Sequence, residues 1–157
     1  MYHAVRYGVT ALLMACALWV ASGAALPAAA EEAGEVNRTL LAAAKDSDRA
    51  SVIAALDRGA AVDATTRTGD TALLTACKKG DAEIARTMID HGANVKHANA
   101  SGVTPLMAAA YGGYDGIAAL LLARGADESL KDNRGMRAKD IAAQTQSNQV
   151  ANLLSSH

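Results

Sequence analysis

Two cysteines and four histidines carry the nucleophilic and metal-binding potential of this 157-residue chain. Cys77 is followed by Lys78, and a neighbouring cation favours the thiolate, the form that reacts. Against that reading, Cys77 sits at a position that elsewhere holds only small residues, Ala44 and Ala110, as expected of a packed and inert thiol. Two cysteines, Cys16 and Cys77, are too few for a disulfide framework or a zinc site. His91 and His97 do not share a helix face, and no acid–His–nucleophile arrangement accompanies them. His91 precedes a glycine, where an imidazolium suits a helix C-terminus, and His97 falls in a turn. Structural roles are expected for both, and no metal and no cofactor. The remaining candidate is "SGVTPLMAAAYGG", Ser101 to Gly113. A phosphate loop would need a lysine and a Ser or Thr after its second glycine, and these are missing. A membrane span would need a much longer apolar run than Val103 to Ala110, which Thr104 and Pro105 interrupt.

The elements that position these residues fall into two parts. Residues 1–30 carry one cation, Arg6, then run uncharged from Gly8 to Ala30 before Glu31, Glu32 and Glu35. A basic start, an apolar middle and a small-residue end describe a secretory signal peptide over 1–30, with Ala28 and Ala30 before the cut. Two alternatives stand beside it. The uncharged run is about long enough for an uncleaved anchor, and "LMAC" at Leu13–Cys16 loosely resembles a lipoprotein cleavage box. Cleavage leaves residues 31–157, with every basic residue but Arg6 against all 16 acids, a net charge of −2. That chain keeps one cysteine and loses Trp19, and nothing in its charge points to nucleic acid.

The second part repeats. Gly69, Gly102 and Gly135 are 33 residues apart, as are Gly59, Gly92 and Gly125. Leu40, Leu73 and Leu106 keep the same period, and so do Ala43, Ala76, Ala109 and Ala142. Ile84, Ile117 and Val150 form a further column, and Met88, Leu121 and Leu154 another. Each unit reads as a glycine turn and a first helix capped by Thr71 or Thr104, with Pro105 at its first position. A break at Gly80 or Gly113 follows, then a second helix opening near Asp81 or Asp115 and stopping at Gly92 or Gly125. Alanines crowd the first helices because neighbours squeeze them. The stretch from Ser101 is therefore the turn and first helix of one repeat.

"GVTPLMAAAYGGYDGIAALLLARGAD" closely resembles the ankyrin repeat, with its Thr-Pro-Leu-His-x-Ala core, paired leucines and Gly-Ala-Asp ending. The resemblance covers Val36 onward and implies an all-α repeat solenoid of about four helix–turn–helix units with β-turn loops. The units are about 36–64, 65–98, 99–131 and 132–157 within a domain of 31–157. Met107 and Leu74 stand where the family has its histidine, which implies looser bracing between loops. The first unit lacks the turn glycine, Val36 standing in its place, and the last has Arg137 and Lys139 where Thr and Leu belong. Degenerate end units are what capping repeats show, because their outer faces meet water.

The resemblance implies a non-enzymatic protein-binding module that holds a protein partner in a concave groove, with no small-molecule substrate. Family contact positions map onto Arg67, Thr68, Asp70, Ala100, Ser101, Val103, Asn133, Arg134 and Met136 in the turns. On the first helices they map onto Lys45, Asp46, Lys78, Lys79, Tyr111, Gln144 and Thr145. Five cations against two acids in this set imply a partner with an acidic patch. Tyr111 is the expected aromatic anchor. Small exported members of the family occur in Gram-negative bacteria, so with the leader the resemblance places the protein in the periplasm or outside the cell. An uncleaved leader would make it a membrane-anchored adaptor. The competing class is an exported thiol-dependent factor or enzyme using Cys77.

Overall fold

A computed structural model describes residues 28–155. The signal-peptide assignment, with Cys16 and Trp19, lies almost wholly outside the described residues. Contacts divide the chain into two units, Met1–Glu32 and Ala33–His157. Only residues 28–32, the start of the first helix, are described in the former.

The described residues hold eight helices. They are α1 (Ala28–Asp46), α2 (Arg49–Asp57), α3 (Ala72–Lys79), α4 (Ala82–Asp90), α5 (Pro105–Gly112), α6 (Asp115–Ala123), α7 (Ala138–Gln144) and α8 (Asn148–Ser155). They alternate between two rows. The inner helices α3, α5 and α7 pack side by side, and so do the outer helices α2, α4, α6 and α8. One hydrophobic core runs through the stack, and the 33-residue columns line it: Leu40, Leu73 and Leu106 are at most 1% exposed. This is the all-α repeat architecture that the sequence period implies.

Local chemistry sets each boundary. Thr71 and Thr104 cap α3 and α5, their hydroxyls accepting from the Leu74 and Met107 amides, and Pro105 occupies the first turn of α5. Asp81 caps α4 by accepting from Ile84. The equivalent residue before α6 is Tyr114, which makes no side-chain cap. Its ring instead fills the space beside Gly80 and Gly112 and leaves no room for a Cβ at either. The two end units depart from the middle pair. The residues around Val36 are helical, so α1 runs straight through the place of a first turn. At the other end Arg137 precedes α7, and the Asp140 carboxylate accepts from its backbone amide at 3.0 Å.

The turns stack tip on tip. Each tip is a β-turn in which the amide of Gly69, Gly102 or Gly135 donates to the carbonyl of Thr66, Asn99 or Asp132. Those three residues, 33 apart, also supply a side-chain oxygen to the amide four residues on, at Asp70, Val103 and Met136. Neighbouring tips are joined by Ala100 donating to the Thr68 carbonyl and Asn133 to the Ser101 carbonyl, both at 3.0 Å. His97 adds a bond from Nε2 to the Gly69 carbonyl at 2.9 Å. Bracing is therefore present by another route than the family histidine, whose positions hold the buried Leu74 and Met107. Outside, Arg49 reaches Glu83 and Arg124 reaches Asp90, linking successive outer helices.

Candidate functional site

The face built by the tips and the inner helices carries the expected contact residues. Their side chains vary from unit to unit because the core does not constrain them. Arg67, Thr68, Ser101, Asn133 and Arg134 are exposed at the tips, and Lys45, Lys78, Lys79, Tyr111 and Gln144 on the helices. Tyr111 is 70% exposed and is the exposed large hydrophobic residue among those described. Val103 and Met136 are half-buried and pack against the core. Thr145 is half-buried as well, its hydroxyl reaching the Ala110 carbonyl and Ser147, so it ties α7 to α5.

Charge on this face is arranged differently from a simple count. Lys78 Nζ lies 2.7 Å from Asp70 Oδ2, and the other carboxylate oxygen of Asp70 accepts from Asn99 Nδ2 at 2.7 Å. Burial works to raise the Asp70 pKa, but the bonds from Lys78 and Asn99 and the lysine charge outweigh it and leave it lowered. Arg134 is held by Asp132, 2.8 Å from its Nη2. The backbone bond from Met136, with the bonds and charge of Arg134, lowers the Asp132 pKa below its ordinary value although burial favours the neutral acid. Lys79 Nζ donates to the Lys45 carbonyl and so closes the C-terminal end of α1. Two of the five cations on this face are thus paired with carboxylates. Asp132 is a third acid, and Lys78 and Arg134 each have a carboxylate partner. The cation heads nevertheless face outward: the Arg134 side chain is 64% exposed against 2% for Asp132. Sequence reasoning missed Asp132 and Asn99 as organisers of this face. Their column mixes Thr, Asn and Asp, and the shared property is a side-chain oxygen.

A pocket of about 280 Å³ opens on this surface. Val103, Met107, Ala108 and Ile141 form its apolar part, with Lys78, Tyr111 and Arg134 around it. It spans three successive units, and four of its seven lining residues are sequence-expected contacts.

The other candidates have structural places. Cys77 is fully buried, and burial pushes its thiol up to about 12, so the adjacent Lys78 does not activate it. At neutral pH such a thiol is neutral and unreactive. His91 follows α4 and its Nδ1 bonds the Thr87 carbonyl at 2.8 Å. No group of metal-binding side chains occurs among the described residues, and none of their helices is long and apolar enough to cross a membrane.

Two rows of helices stacked through β-turn tips at a fixed 33-residue period define a helical repeat solenoid whose variable face is its tips and inner helices. Residues 40–132 match the family model for ankyrin repeats in three copies, well over half of the chain. The chain belongs to the ankyrin repeat family, whose members generally serve as protein–protein interaction modules. Comparison with curated proteins gives no match.

Proposed function

We propose that the protein is a non-enzymatic binding module of the cell envelope that holds a protein partner against its tips and inner helices. The observation that carries this reading is Tyr111, 70% exposed beside an apolar pocket on the face that varies between units. Tyrosine at the centre of a groove supplies area and a polar handle with little entropy to lose. The envelope assignment rests on the leader-like residues 1–30. Val36 is the first buried side chain among those described, so a cut after Ala30 leaves every described core residue in place. Intact mass of exported protein tests it: a chain starting at Glu31 supports processing, and retention of residues 1–30 supports the membrane-anchored form.

The binding reading is tested by capture from envelope extract. The unaltered protein and Arg86→Glu, which changes an exposed residue of the outer helix α4, should retain the same partner. Tyr111→Ala should lose most of it, a hot spot of this kind being worth about 2 kcal/mol or more. Equal capture by Tyr111→Ala and loss with Arg86→Glu would move the binding face to the outer helices.

A further inference from the structure

Resting on the groove reading above, we propose that the pocket over α5 receives an aliphatic side chain of an acidic peptide segment, whose flanking carboxylates are bound by Lys78 and Arg134. Its size comes first. At about 280 Å³ it lies just below the range of small-molecule sites, and suits one large side chain of a partner. Its apolar wall is Val103, half-buried, with Met107, Ala108 and Ile141, at most 4% exposed, behind it. An aliphatic anchor is what such a lining desolvates at no polar cost.

The rim sets the charge of the segment. Arg134 uses Nε and Nη2 on Asp132, which leaves the remaining guanidinium donors for a ligand. Lys78 spends one donor on Asp70 and keeps two. Both acidic partners are turned inward, Asp70 18% and Asp132 2% exposed, while the cations reach solvent. The acids are already held by turn amides and Asn99, so a partner carboxylate meets pre-positioned donors rather than loose side chains. A nucleic acid is disfavoured, because two paired cations do not make the basic stripe that phosphate backbones require.

The test is an NMR titration of the purified protein with the acetylated, amidated peptide Glu-Asp-Leu-Asp-Glu. The Met107 methyl and Tyr111 ring signals should shift and saturate. A peptide with Ser in place of Leu, and one with Gln and Asn in place of the acids, should each bind at least about tenfold more weakly, or 1.4 kcal/mol. Arg134→Gln should weaken the acidic peptide and leave the Gln/Asn version unaffected. Lys78→Gln should act in the same way and serves as a second charge variant if Arg134→Gln disturbs its turn. Equal affinity for the acidic and neutral peptides, or no saturable shift at Met107, overturns the proposal. Shifts confined to Lys45 and Arg67 overturn the pocket assignment while the groove reading stands, and shifts around Arg86 overturn both.

Discussion

Gly102 and Gly135 occupy the same place in successive tips, both with positive φ, 75° and 80°. They differ in what lies beyond them. A Cβ on Gly102 would sit 2.9 Å from Asn133 Oδ1, and 3.0 Å from both the Asn133 nitrogen and the Asp132 Cα. A Cβ on Gly135 meets nothing within 4 Å among the described residues. The left-handed strain of a non-glycine residue costs about 1–2 kcal/mol, and the stiffer unfolded chain returns about 0.4–1 kcal/mol. Gly135→Ala should therefore lose about 1 kcal/mol. Gly102→Ala carries the same strain plus an overpacking term of about 1–3 kcal/mol against backbone that can yield only by separating the tips. Its expected loss is about 2–4 kcal/mol. Urea denaturation followed by far-ultraviolet circular dichroism measures both. The difference between the two variants isolates tip-to-tip packing, since the backbone strain is common to them. Equal losses would refute the stacked-tip geometry.

Other consequences follow from packing and charge. Leu106→Ala, at a side chain 1% exposed, should cost about 2–5 kcal/mol; a loss under about 0.5 kcal/mol would place Leu106 at the surface. The Cys77 thiol, pushed up to about 12 by burial, should react with a thiol reagent only as fast as the protein unfolds, and rapid labelling of the folded protein would contradict its burial. Asp70 and Asp132 have pKa values below the ordinary 3.8. Their stabilisation is present above 3.8 and lost as pH falls through the folded values, so denaturation midpoints should drop on acidification below about pH 4. Asp132→Asn should hold its turn at neutral pH, because Asn99 does the same work one unit earlier, and should flatten that acid dependence; an unchanged slope would remove Asp132 from the explanation.

The repeat period was legible because glycine and leucine columns are fixed by backbone geometry and core volume, which admit few residue types. Thr71, Thr104 and Pro105 announced their helix starts for the same reason: caps and first turns demand particular chemistry. The bracing column at Thr66, Asn99 and Asp132 was hidden, because a hydroxyl, an amide and a carboxylate all supply the one acceptor the tip requires. Val36 signalled a missing turn, but nothing in its neighbourhood disclosed that α1 would run straight through the gap. The pairing of Lys78 with Asp70, eight residues apart across the tip and inner helix, depends on the fold and is not written in any local pattern. The Lys78 side chain therefore turns away from the role of activating Cys77 and toward the rim of the pocket.

The most direct measurement places a photo-crosslinking side chain at Tyr111 in one sample and at Arg86 in another, and irradiates each with the captured partner. Position 111 lies on the tip-and-inner-helix face and position 86 on the outer helix α4. A covalent adduct at 111 and none at 86 is the expected result. An adduct at 86 with none at 111 would contradict the assignment of the binding face.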